Sequence, residues 1–157
     1  MIESLFKIIP LKLNPIYSII GILVLAYIPH GMKKPLLEKK LKKSKMEYAT
    51  ANSRGLSAMM IDDSPEGMKI ANLAGCHQNG LEAFSYFSAA IGSCLIMKVD
   101  REVVEGASAL FVIIRLFYTY VYMSSLNGKP RTLLFFAGGF LNLALLVVAG
   151  YKYSTTY

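Results

Sequence analysis

Apolar residues fall into four long runs separated by polar stretches, and each run has the length of a helix rather than a strand. The first run, residues 16–28, opens at Asn14-Pro15, an asparagine able to cap free amides followed by proline at the first helical position. Pro29 closes it. Residues 11–13 lengthen it toward the roughly 20 residues a bilayer crossing needs, and Tyr17 and Tyr27 suit the two interfaces. A helix is predicted over about 14–29.

Residues 31–64 then read as a long polar, basic loop, within which 35–46 suit a short helix lying on the membrane surface and 48–55 read as irregular. Asp62-Asp63-Ser64-Pro65-Glu66 is a strong helix start, with a capping side chain, an early proline and negative charge at the positive dipole end. The second helix is predicted over about 65–98, roughly 50 Å and so longer than a hydrocarbon core. A charged connector leads to a third helix at about 103–125. Asn127-Gly128-Lys129-Pro130 reads as a tight turn, and a fourth helix follows at about 131–151. The expected fold is all-α and integral to the membrane, a single domain in which four transmembrane helices form an antiparallel bundle.

The second helix breaks its apolar pattern with Asn72, His77, Gln78, Asn79 and Glu82. Polar groups at bilayer depth are costly and normally face a bundle interior or a wet cavity. Asn72, Asn79 and Glu82 share one helical face, with Gln78 one turn before Glu82. The third helix carries Arg115 inside its apolar run, followed at helical spacing by Tyr118 and Tyr122. Folding helices two and three back at residue 100 puts Glu82 and Arg115 at the same depth, each about 23 Å from that connector. Each charge would be hard to keep there without the other, so a bonded pair is expected, directly or through one water, inside the bundle or across a subunit boundary. The same folding gathers His77, Gln78, Asn79, Glu82, Arg115, Tyr118, Tyr122 and Arg131 in one half of the bilayer. Two readings fit that cluster: a polar pocket opening toward the basic loop, or a buried network that fixes helix register.

Composition agrees with a membrane protein. Of 157 residues 54% are hydrophobic, mean hydropathy is +0.44, and only 17% are charged against roughly 25% in a soluble domain. The net charge of +7 comes mostly from Lys33, Lys34, Lys39, Lys40, Lys42, Lys43 and Lys45. Beside a membrane helix such a cluster indicates orientation and contact with anionic lipid, and no aromatics interleave it as a nucleic-acid surface would require. Loops one and three are therefore expected on the cytoplasmic or equivalent side, with both termini opposite. Residues 1–12 mix acids, bases and apolar residues without a removable-signal pattern. Cys76 and Cys94 lie about 27 Å apart on one helix, beyond disulfide reach, and no His/Cys spacing suits a metal.

H-Q-N-G-L-E-A-F (residues 77–84), I-R-L-F-Y-T-Y-V-Y (114–122) and K-P-R-T (129–132) resemble, in this order, the second-, third- and fourth-helix motifs of one family. It is the membrane-associated proteins in eicosanoid and glutathione metabolism (MAPEG), and the likeness is closest to the short bacterial-type members. The resemblance implies a homotrimer binding glutathione between subunits. Asn79 and Glu82 would hold its polar backbone together with His77, Gln78, Arg115 and Tyr118, Tyr122 would lie beside it, and Arg131 would be the catalytic residue that stabilises the thiolate. It also implies a departure. Arginines that clamp the tripeptide's carboxylates in glutathione-using members are replaced here by Asn72, Gly75 and Gln78. Two functions follow as expectations: a glutathione-dependent transferase or peroxidase acting on lipophilic electrophiles, or a non-catalytic accessory subunit of a larger membrane complex.

Overall fold

The computed structural model describes residues 2–44, 58, 60–124 and 128–156. A short helix, α1 (Ile2–Lys7), precedes four long ones: α2 (Pro15–Ser44), α3 (Pro65–Ile96), α4 (Arg101–Ser124) and α5 (Gly128–Thr156). Three of them, α2, α4 and α5, are long and apolar enough to cross a membrane. The polar residues between Asn72 and Glu82 keep α3 outside that group. In the bundle α3 and α4 touch each other, and each touches both α2 and α5, so α2 and α5 occupy opposite corners.

The largest difference from the expected layout is α2. It does not stop at Pro29 but runs on as helix through Pro29 and Pro35 to Ser44, so the expected basic loop begins in helix. Each proline removes an amide donor, leaving the carbonyls of Leu25 and Gly31 without their usual partners. Side chains of neighbouring helices can stand in where a helix is packed in a bundle. Here His77 on α3 has its Nδ1 2.8 Å from the carbonyl oxygen of Ala26, next to the first of these breaks. The basic segment survives as helix because α3 covers it: Leu37 and Leu41 pack with Met60 and Ile70 in a small core of their own. Lys39 pairs with Glu66, and Lys40 with Asp62 and the carbonyl of Met60. Hydrogen bonds from Lys40 and Ser64 push the exposed Asp62 carboxyl down to about 2. Its contribution is thus present above the ordinary carboxylate range and is lost only as pH falls toward about 2. With Lys33 buried and two more lysines paired, the cluster is not one free basic patch. Lys45, residues 48–55, Asn127 and the side chain of Lys43 lie outside the described residues.

The start of α3 is as the sequence predicts: Ser64 caps it, its Oγ accepting from the Gly67 amide at 3.1 Å, with Pro65 in the first turn. Its end is tighter. Lys98 adopts a left-handed φ of 52°, which reverses the chain within residues 97–100 and lets α4 begin at Arg101. Below that turn α1 is stapled to α4. Lys12 Nζ donates to the carbonyls of Phe6, Lys7 and Glu102, Lys7 pairs with Asp100, and a Cβ on Gly106 would come within 2.3 Å of the Phe6 carbonyl.

The interior is divided by polarity along the bundle axis. Toward the α3–α4 turn it is apolar: Phe87 and Phe111 stack at 4.2 Å, surrounded by Ile91, Cys94, Val103, Ala107 and Leu145. Toward the other end it is polar. Among lipid tails burial of apolar surface drives helix association weakly, so close approach at small residues matters most. Gly80 is such a place, since a Cβ there would lie 2.7 Å from the Ala26 Cβ and 2.9 Å from its Cα. Gly80→Ala should therefore push α2 off α3 and destabilise the protein by about 1–3 kcal/mol. Ala26→Gly in the same chain should restore only part, because the Cα clash remains. Thermal melts of the solubilised variants check this; an unchanged melt for Gly80→Ala would show that the two helices are not this close.

Candidate functional site

Arg115, Tyr118 and Tyr122 recur at three- and four-residue spacing on α4, so they form one stripe on the face turned into the bundle. Arg115 is 4% exposed and Tyr118 1%. The stripe continues onto Arg131, half-buried in the first turn of α5. From the mouth inward, the Arg131 guanidinium lies 4.4 Å from the Tyr122 ring centroid, and Tyr122 meets Tyr118 edge-on at 5.5 Å. Tyr118 in turn lies 4.2 Å below the Arg115 guanidinium. Two cations thus bracket two phenols. Each cation–ring contact contributes about 0.5–2 kcal/mol, more where water is excluded.

From α3, the Asn79 carbonyl accepts a hydrogen bond from Arg115 Nη2 at 3.2 Å. Glu82 accepts from Gln78 Nε2 at 3.3 Å and is half-buried, while Gln78 is exposed. Glu82 and Arg115 line the same cleft between α3, α4 and α5, yet no ion pair joins them. Within one subunit the expected direct pair is therefore not formed. The buried guanidinium is held by a carbonyl dipole and a ring face, and the carboxylate by its own helix. Matching depth brought the two side chains to one cleft; it could not say that each would find a nearer partner.

His77 also departs from the expected cluster. It faces α2, with its ring 4.7 Å from His30 and 5.2 Å from Tyr27, and it supports the Ala26 carbonyl beside Pro29. Two residues outside the expected cluster belong to its geometry. At Gly75 a Cβ would fall 2.5 Å from the Tyr122 hydroxyl, so the absence of a side chain makes room for that phenol. Asn142 on α5, 7% exposed, lines the cleft opposite Glu82 and Arg115. A lone amide inside the apolar run of α5 was the available signal for it.

The geometry is that of a stacked row of side chains from Arg131 through Tyr122 and Tyr118 to Arg115, which borders a separate cleft of about 90 Å³ shared with Glu82 and Asn142. A fixed guanidinium beside a phenol favours the anionic form of whatever titratable group is placed against it. Polar chemistry of this kind on a membrane bundle agrees with the sequence profile of the MAPEG family, which matches residues 15–151, nearly the whole chain. The chain belongs to the MAPEG family. No curated protein and no solved structure matches it.

The unequal partners of Arg115 and Glu82 imply unequal mutational costs. Arg115→Leu removes a buried hydrogen bond and a ring contact and should cost about 2–4 kcal/mol. Glu82→Gln, at a half-buried site with a neutral neighbour, should stay within about 1 kcal/mol of the parent. The double variant should then equal the sum of the singles. Denaturation of all three in one detergent tests this; strong recovery in the double would restore the direct ion pair.

Proposed function

We propose that this MAPEG protein is a glutathione-dependent transferase or peroxidase acting on lipophilic electrophiles that arrive through the bilayer. The observation that carries the reading is the Arg131 guanidinium over the Tyr122 ring. In this reading α3 crosses the membrane with the other three helices and lends them their polar lining, and a homotrimer completes the site between subunits. Glutathione, when bound, supplies a thiol nucleophile. Asn79 and Glu82 hold the polar backbone of the tripeptide, Tyr122 lies beside it, and Arg131 keeps negative charge on the sulfur, lowering the cost of the thiolate. The fit is good at the sulfur end and poor at the carboxylate end, since Asn72, Gly75 and Gln78 offer no guanidinium. A few kcal/mol of charge-assisted binding are missing there, so affinity for glutathione is expected to be weak.

A second reading is an accessory subunit that keeps the fold without the chemistry. It is favoured by Gly75: the Tyr122 hydroxyl occupies the space into which any side chain at that position would grow. Calorimetry with glutathione in detergent separates the two. Heat at millimolar ligand, together with conjugation to 1-chloro-2,4-dinitrobenzene, supports the enzyme; silence in both supports the subunit. For the enzyme, Arg131→Ala should lower kcat/KM about 100-fold, about 2.7 kcal/mol, with most of the loss in kcat. An unaffected rate would remove Arg131 from the chemistry.

The basic end of α2 and Lys129 share the cytoplasmic or equivalent face in this proposal, with both termini opposite. Single cysteines at the exposed positions Lys34 and Lys129 should react with a membrane-impermeant maleimide from that same face. Labelling from opposite faces would refute the arrangement.

A further inference from the structure

At the end of the bundle far from Arg131, a pocket of about 500 Å³ lies between the start of α2, the end of α3 and the start of α4. Ile16, Leu95 and Val104 give it an apolar wall, and Asn14, Lys98, Arg101 and Glu105 supply its polar groups. Pro15 and Arg101 begin two of the apolar spans, so the pocket sits where hydrocarbon gives way to water. Ile16 and Ile20, one turn apart and both exposed, carry the apolar wall on toward the bilayer interior. Lys98 occupies the position after the α3 cap. The Lys98 amide donates to the Leu95 carbonyl at 3.2 Å and the Val99 amide to the Cys94 carbonyl at 2.9 Å, a closure in which glycine is usual. Glycine would take the φ of 52° without strain, so what lysine adds at this point is its ammonium. Lys98 is exposed, and its side chain forms no ion pair among the described residues. Arg101 donates through Nε to Glu105 at 2.7 Å, which offsets that carboxylate and leaves its terminal nitrogens as donors. Asn14 caps α2 through Oδ1, which accepts from the Ile16 amide at 2.9 Å, and keeps its NH2 to donate.

Charge and setting select the ligand. Lys98 and Arg101 against Glu105 leave the pocket with an excess of one positive charge, which a single phosphodiester anion neutralises. Its oxygens can accept from the Lys98 ammonium, the Arg101 guanidinium and the Asn14 amide together. Inorganic phosphate offers the same oxygens but leaves Ile16, Leu95 and Val104 without an apolar partner, whereas a lipid fills both halves of the pocket. Basic pockets between membrane helices suit lipid headgroups for this reason. We propose that this pocket binds an anionic glycerophospholipid of the phosphatidylglycerol type, with Lys98 and Arg101 on its phosphate and the apolar wall against the first carbons of its acyl chain. The site lies at the opposite end of the bundle from Arg131 and from the lysines of α2, and it is independent of the glutathione reading.

The test uses the full chain, delipidated in dodecyl maltoside and titrated with dioleoyl phosphatidylglycerol under native mass spectrometry. Phosphatidylglycerol is expected to bind about tenfold more tightly than dioleoyl phosphatidylcholine or dioleoylglycerol, and millimolar inorganic phosphate should not displace it. Lys98→Gln should weaken binding about tenfold, the effect of one charge-assisted contact, while Lys98→Arg should retain it. Lys98→Gly guards against a folding defect. It suits the left-handed φ and should keep the parent melting temperature, yet lose the lipid as Lys98→Gln does. The double variant Lys34→Gln/Lys42→Gln, at the exposed basic end of α2, should bind as the parent does. Equal binding of phosphatidylcholine or dioleoylglycerol would overturn the proposal, as would displacement by inorganic phosphate. Full binding by Lys98→Gly, or loss in the α2 double variant alone, would place any lipid contact elsewhere and overturn it too.

Discussion

A guanidinium buried beneath a membrane surface must find its partners inside the protein, and the arrangement of Arg115 governs much of this bundle. It is almost fully buried, and no carboxylate among the described residues lies within pairing distance. Its charge is spread instead over the Asn79 carbonyl and the face of Tyr118. A carbonyl dipole and a ring quadrupole stabilise a cation less than a carboxylate does. They also leave it less neutralised, so Arg115 retains electrostatic reach into the cleft beside it. A direct bond to Glu82 would have closed that cleft and cancelled both charges. Held apart, the two remain available to something placed between them.

That spacing depends on small residues. Gly80 brings α3 against Ala26 of α2, and Gly75 admits the Tyr122 hydroxyl. Each glycine lets a neighbouring side chain or backbone occupy space that a Cβ would fill. At Gly75 the consequence reaches chemistry. A cationic side chain at that point of α3 would have to displace the Tyr122 hydroxyl from below Arg131. The aromatic end of the site and a guanidinium at this position compete for one volume.

The helices, their polar faces and the family were legible in the sequence because they depend on periodicity and motif order. Arg115, Tyr118 and Tyr122 fall on one stripe by arithmetic, and Asn79 and Glu82 follow from the same count on α3. What was not legible depended on partners distant in sequence. Pro29 reads locally as a stop, and only contact with α3 shows how the helix continues to Ser44. His77 reads as one more polar residue on the site helix, yet it turns to α2, beside the carbonyls that the proline disturbs. Glu82 and Arg115 matched in depth, but depth is one coordinate and pairing also requires direction. Asn142 was visible as a polar interruption in α5 and was passed over because no motif enclosed it.

The continued α2 changes what surrounds the mouth of the site. α3 has 32 residues and α4 has 24, so α3 outruns α4 by about 12 Å at the end where it meets the last turns of α2. Two helices project there, joined by Leu37, Leu41, Met60 and Ile70 and by the ion pairs of Lys39 and Lys40. Those acids offset two of the lysines that the sequence assigns to this edge, while Lys34 and Lys42 stay exposed. Arg131, at the start of α5, is left as the cation set directly against an aromatic ring of the site. An anionic group approaching from water would be drawn to that edge by Arg131 and by the lysines that remain exposed beside it.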